Sequence, residues 1–147
     1  MLQKYLTEDF IQIFPNASDW RDAVSKSCQP LLDHQTIEPS YIKAIFRSHE
    51  KLGPYYVVGP GIAMPHARSE DGVNKLSIAL TVIKSGVAFH SKENDPVKIL
   101  LTLAATSSNS HINVIQHLAE LFMNENDIKH ICSADNTKQI LDIIKKY

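Results

Sequence analysis

Val57-Val58-Gly59-Pro60-Gly61-Ile62-Ala63-Met64-Pro65-His66-Ala67-Arg68 is the stretch around which this chain has to be arranged. Apolar, strand-like residues lead into a Gly-Pro-Gly break, and a second short apolar run stops at Pro65-His66. Glycine takes torsions that other residues resist and lets backbone come close to a ligand or a partner. Pro65 fixes its own φ and drives Met64 into an extended conformation. The expectation is an imidazole, His66, presented at a strand end on stiff backbone, with Arg68 close by.

Working outward, Leu76 to Ile83 alternates large and small residues and reads as a strand. Its small face (Ser77, Ala79, Thr81) leaves room for a helix to pack closely. Val97 to Ala104 is a near-continuous apolar run, the pattern of a central strand covered on both faces. Val87-Ala88-Phe89 is expected as an edge strand between loops. Upstream, Phe10 to Phe14, Tyr55 to Gly59 and Gly61 to Met64 read as further short strands. A helix is expected from Asp19 to about Leu32, capped by Ser18 or Asn16 and ended or bent at Pro30, with Trp20, Ala23, Val24 and Cys28 on one face. A second runs from Tyr41 to about Lys51 and stops at Gly53-Pro54. A third, from about His111 to Met123, follows a capping loop at 106–110 and carries an inward stripe of His111, Val114, Ile115, Leu118, Leu121 and Phe122. A short piece at 127–132 and a last helix capped by Asn136-Thr137 close the chain, and residues 1–9 form a helical lead-in. Helices and strands sharing one core predict an α/β three-layer sandwich around a mixed sheet of about five strands, as a single domain over 1–147.

The 147 residues are enough to bury roughly 68–70% of the unfolded surface. Hydrophobic content of 44% and charged content of 21% are those of an ordinary globular protein. A formal net charge of −1 lacks the basic footprint of a nucleic-acid binder. No apolar run approaches the ~20 residues of a membrane span. Met1-Leu2-Gln3-Lys4-Tyr5-Leu6 lacks the pattern of a signal peptide, so a cytoplasmic location is expected. Cys28 and Cys132 are far apart and are expected as buried free thiols.

His66 stands out among seven histidines because its backbone context is so constrained. An ordinary imidazole, with a pKa near ~6.5, is largely neutral at cytoplasmic pH and nucleophilic without a separate base. Backbone N–H groups near Gly59 and Gly61, and Arg68 if it turns inward, are candidates to steady an anion beside it. His111 comes next: it lies at the start of its helix, beside unsatisfied N–H groups and the positive end of the dipole. Glu70, Asp71 and His90 read as solvated turn residues. Gly59-Pro60-Gly61 is not a nucleotide P-loop, because no Gly-Lys-Ser/Thr follows. The histidine and cysteine spacings do not make a zinc cage, and no serine has a nucleophile-elbow context. No cofactor and no metal are expected.

Gly61-Ile62-Ala63-Met64-Pro65-His66-Ala67-Arg68 resembles the active-site signature of the mannitol/fructose-type (type 2) enzyme IIA proteins of the bacterial sugar phosphotransferase system (PTS). The flanks Leu52-Gly53-Pro54-Tyr55-Tyr56 and Ser69-Glu70-Asp71-Gly72-Val73 are most similar to its ascorbate-type branch. The resemblance implies a mannitol-type IIA fold and a cytoplasmic phosphotransferase component working through a phosphohistidine. It implies that His66 takes a phosphoryl group from the phosphocarrier HPr and gives it to a cysteine of a IIB protein, with the membrane IIC component involved only indirectly. It also implies a supporting role for His111, in the matching Ser-His-Ile-Asn context. Many members carry an arginine ahead of the signature; here that position is Glu50, and Arg47, one helical turn earlier, is the nearest candidate. Ile62, Met64 and Val73 are expected to contribute to an apolar docking surface. The same domain also serves regulatory roles in sugar or nitrogen signalling, which leaves transport and regulation as alternatives. A homodimer through an edge strand also stays open.

Overall fold

The computed structural model describes residues 1–107, 109 and 111–147; the expected capping loop at 106–110 therefore falls partly outside the described residues. Five strands form one mixed sheet in the order β1-β4-β5-β3-β2. They are β1 (Ile11–Phe14), β2 (Val57–Gly59), β3 (Ile62–Ala63), β4 (Ser77–Val87) and β5 (Val97–Ala104). β1 runs parallel to β4 and β3 parallel to β5, while β4–β5 and β2–β3 are antiparallel. β4 is longer than expected and absorbs Val87, so the separate edge strand expected at 87–89 does not exist. Phe89 instead turns fully into the core.

The period of two along β4 and β5 sorts the apolar residues onto two faces. Ala79, Ile83, Leu100 and Ala104 face the layer formed by α1 (Trp20–Asp33) and α2 (Pro39–Leu52). Ile78, Leu80, Val82, Ile99, Leu101 and Leu103 face the layer of α3 (Ile112–Met123), α4 (Glu125–Ser133) and α5 (Thr137–Ile144). The three-layer sandwich is thus the one that the patterning predicts. The small face of β4 accepts α1, whose buried Ser27 hydroxyl shares a hydrogen bond with Thr102 of β5. Cys28 packs beside them as a free thiol whose pKa burial pushes up to about 12, while Cys132 is only half-buried.

The cap of α1 differs from the sequence reading, while its end falls within one residue of the expected Leu32. Asp19, rather than Ser18 or Asn16, caps α1 by accepting from the Asp22 N–H at 2.8 Å. Pro30 lies inside α1, which continues to Asp33. Pro30 and Leu31 are both buried in its apolar face. The lead-in at 1–9 is two short 3₁₀ turns pinned by fully buried Leu2 and Leu6.

α2 ends at Gly53, whose φ of +80° turns the chain sharply toward β2. Just before that turn His49 is buried (4% exposed) and stacked on Trp20 at 3.7 Å between ring centres. Its Nδ1 shares a 2.6 Å hydrogen bond with the Tyr56 hydroxyl, and its Nε2 has no hydrogen-bond partner among the described residues. Burial, with His90 and Arg21 adding repulsion and Glu50 opposing, lowers its pKa from 6.5 to about 4. Between those two values the unfolded chain binds a proton that the folded one does not, so stability falls as pH drops through that window. Urea midpoints at pH 7.5 and pH 5 are therefore expected to differ more for the wild type than for His49→Gln; an equal pH dependence contradicts the burial of a neutral His49.

Candidate functional site

His66 follows β3 at the end of the sheet, but the glycine break is not what holds it. Gly59-Pro60-Gly61 forms the β2–β3 hairpin, on the far side of β3 from His66. The Gly61 N–H is spent on the Asn94 carbonyl at 2.9 Å, and the Gly61 carbonyl accepts from Lys98 and Ile99. The expected contribution of glycine N–H groups to an anion site is therefore corrected: at Gly61 they close the sheet. Beyond β3 the chain is held by separate bonds. Met64 N–H donates to the Tyr56 carbonyl at 2.8 Å, and the Pro65 carbonyl accepts from Leu103 N–H at 3.0 Å. The fully buried Tyr41 hydroxyl donates to the Leu103 carbonyl at 2.6 Å and accepts from the Ala67 N–H at 2.9 Å. Burial raises the Tyr41 hydroxyl's pKa, which keeps it a donor.

The His66 side chain is half-buried, with Nδ1 at 2.8 Å from the Met64 carbonyl. A carbonyl can only accept, so Nδ1 carries the proton and Nε2 keeps its lone pair. Nε2 has no hydrogen bond among the described residues. The half-buried His111 is arranged alike: it is the N-cap of α3, and its Nδ1 donates to the Ser107 carbonyl at 3.2 Å. His66 and His111 line one cleft of about 280 Å³, together with Tyr41, Arg68 and Leu103. Two imidazoles of the same tautomer thus border one small space, one able to attack an electrophile and the other, once protonated, able to donate to an anion.

Arg68 sits at the rim. Its side chain is 76% exposed and lies 3.5 Å from the Glu70 carboxylate and 3.6 Å from that of Asp71. It lines the cleft without turning inward. Asp71 is not the solvated turn residue expected: its side chain is largely covered and accepts from the Arg68 N–H at 3.1 Å. Glu70 and His90 are exposed, as expected. A second, more open cleft of about 700 Å³ lies on the α2 side of His66 and is lined by Arg47, Lys51, Leu52, Tyr55 and Arg68. Arg47 is exposed and shares that cleft with His66 without a hydrogen bond to it. Ile62, expected on a docking surface, is a core residue, and Met64 and Val73 are half-buried. The exposed apolar side chains around the clefts are Leu52 (67% exposed), Tyr55 (42%) and, next to His111, Ile112 (49%).

Sequence reasoning missed Tyr41 and Tyr55. Tyr41 lies on the same helical face as Ile45 and is indistinguishable there from a packing residue. Tyr55 follows Gly53-Pro54, and the tight turn was the only signal that its ring is thrown to the surface.

With this geometry in view, the comparisons with known proteins converge. Residues 4–147 match the family model described as "Phosphoenolpyruvate-dependent sugar phosphotransferase system, EIIA 2". The "Mannitol-specific cryptic phosphotransferase enzyme IIA component" of Escherichia coli K12 is 40% identical over 145 residues, covering 99% of this chain and 98% of that protein. A solution structure of the mannitol-specific cryptic enzyme IIA from Escherichia coli covers 99% of both chains at 40% identity with a TM-score of 0.91. The "Ascorbate-specific PTS system EIIA component" of Shigella boydii is 37% identical over 137 residues, 92% of this chain and 89% of that protein. The mannitol enzyme IIA of Escherichia coli, solved in complex with phosphorylated enzyme IIB, gives a TM-score of 0.83 at 26% identity over 97% of this chain and 98% of that one.

The backbone clamp at Tyr41 makes a direct prediction. Tyr41→Phe leaves the Ala67 N–H and the Leu103 carbonyl without their shared partner, which is expected to cost about 1–3 kcal/mol. Hydrogen exchange at the Ala67 amide should speed up; unchanged stability and exchange would mean that the hydroxyl holds nothing.

Proposed function

Because the chain belongs to the phosphoenolpyruvate-dependent sugar phosphotransferase system EIIA 2 family, we propose that it is a phosphocarrier in which Nε2 of His66 holds the phosphoryl group. The observation that carries this reading is the 2.8 Å hydrogen bond that commits the Nδ1 proton to the Met64 carbonyl and leaves Nε2 nucleophilic. The donor is the phosphocarrier HPr. The acceptor is a cysteine of a IIB protein, a choice supported by the structural relative solved with phosphorylated enzyme IIB. The substrate class served downstream is ascorbate-like, supported by the flanks of the His66 signature.

The lone pair of Nε2 attacks phosphorus while the donor's P–N bond breaks and its electron pair returns to the donor imidazole. His66 keeps its Nδ1 proton throughout, so the phosphorylated ring is cationic and its charge is met by the Met64 carbonyl. A protonated phospho-imidazole is also a good leaving group, so the same hydrogen bond favours onward transfer when a thiolate attacks. Charge on the equatorial oxygens is what the surroundings must stabilise in such a loose transition state. His111, with its Nδ1 proton on the Ser107 carbonyl, borders the same cleft and presents its Nε2 toward the space the phosphoryl oxygens would occupy. Arg68 at the rim, and Arg47 in the α2-side cleft, are secondary candidates to meet a phosphoryl or partner anion, Arg68 only by leaving its carboxylates.

Incubation with phosphoenolpyruvate, enzyme I and HPr is expected to add the mass of one phosphoryl group in an acid-labile linkage. His66→Ala and His66→Gln should take no label, and the Gln variant should fold as the wild type. A label retained in either variant, or no label on the wild type, overturns the assignment. His111→Gln should lower the transfer rate by about 10²-fold while leaving the labelled end point reachable. Unchanged rates would reduce His111 to a helix cap.

A further inference from the structure

Tyr55 makes two contacts with His66 that core packing does not require. Its hydroxyl donates to the His66 backbone carbonyl at 2.9 Å. Its ring meets the imidazole edge-on, with centres 5.6 Å apart and planes at 79°. Partial burial raises the phenol's pKa, so the hydroxyl stays a donor. The side chain still leaves 42% of its surface open, in the α2-side cleft where His66 also lies.

Its placement is fixed from behind. The chain turns at Gly53, Tyr55 N–H returns to the Gly53 carbonyl at 2.9 Å, and Val57 N–H reaches the Pro54 carbonyl at 3.1 Å. The neighbouring Tyr56 goes the other way, into the core at 1% exposure, with its hydroxyl on His49. The two tyrosine rings meet edge to face at 5.1 Å and 87°. Tyr56 is therefore a buried anchor, and Tyr55 is the arm that it holds against His66.

The geometry points to Tyr55 as a positioning residue for phosphoryl transfer: its ring bounds the rotation of the His66 imidazole while its hydroxyl fixes the His66 backbone, so that the Nδ1–H stays on the Met64 carbonyl and Nε2 stays presented. An imidazole on a half-exposed turn otherwise has two ring orientations and two tautomers, and one hydrogen bond to a carbonyl is a modest restraint against water. An edge-to-face contact with a second ring adds a restraint of similar size, in a direction that the hydrogen bond does not cover. Transfer needs the attacking atom and phosphorus in line, so a loosened ring costs rate rather than binding. This role rests on His66 as the phosphoryl carrier, although the orientation of the ring can be measured without any phosphoryl donor.

The test uses the full chain with Tyr55→Phe and Tyr55→Leu, read by ¹⁵N NMR of the His66 ring and by rapid-quench transfer from phosphorylated HPr. In the wild type the His66 ring should show the Nδ1–H tautomer. Tyr55→Leu should give a mixture of tautomers and lower kcat about tenfold, with KM changed less. Tyr55→Phe keeps the ring contact and should recover most of that loss, staying within about threefold of the wild type. An unchanged tautomer in Tyr55→Leu overturns the proposal, as does a loss confined to KM, which would make Tyr55 part of a docking surface only. If the wild type takes no phosphoryl group, the carrier assignment fails by itself, and the tautomer comparison still decides whether Tyr55 orients the ring.

Discussion

A single proton on Nδ1 of His66, held by the carbonyl of Met64 two residues back in the chain, fixes what this site can do. With it in place, the ring has one nucleophilic nitrogen instead of an exchanging pair. For that bond to form, Met64 must be extended and its carbonyl directed at the ring, and the surrounding backbone must not drift. Pro65 restricts Met64, and the hydrogen bonds from Leu103 and Tyr41 tie Pro65 and Ala67 to β5. The central strands thus extend their rigidity into a segment that has itself left the sheet. This is how a fold covered by helices on both faces can hold an imidazole in a fixed orientation at its end.

Both histidines in the cleft solve the same problem in the same way, from opposite directions in the chain. His66 comes off the end of β3 and His111 caps the start of α3, and each gives its Nδ1 proton to a nearby main-chain carbonyl. Side chains from two different layers of the sandwich are needed, which is why the order β5-β3 in the sheet matters: it brings the segment after β3 alongside the one after β5. The cleft between them holds about 280 Å³.

Much of this could be read from the residues alone. The alternation in β4 and the apolar run of β5 fixed the sheet's middle, and the 3- and 4-residue spacings fixed the helices, because burial on one or both faces writes directly into the pattern. The exceptions are instructive. Pro30 reads as an end or a bend, yet α1 runs past it to Asp33 with the proline buried on its apolar face. Gly59-Pro60-Gly61 reads as the mount for His66, yet these residues shape a hairpin on the far side of β3. Ile62 reads as surface and is core, because its two-residue strand β3 is flanked by β2 and β5. His66 and His111 were legible through local context; that they share a cleft depends on tertiary pairing, which no local pattern carries. Tyr41 was hidden because a helix face records that a residue is buried and not which carbonyl its hydroxyl meets.

The relatives named for ascorbate and for cryptic mannitol systems are of similar identity to this chain, so overall likeness does not rank the substrates. What they share with this chain is sequence likeness over nearly its whole length, and the central claim is that Nε2 of His66 is the atom that takes the phosphoryl group. The most direct measurement is the ³¹P and ¹⁵N NMR spectrum of the protein after phosphorylation by HPr, read for the nitrogen bonded to phosphorus. The account predicts a phosphorus–nitrogen coupling to Nε2 of His66, with Nδ1 still protonated. A phosphoryl group on Nδ1, which would require the bond to Met64 to be broken, would contradict it.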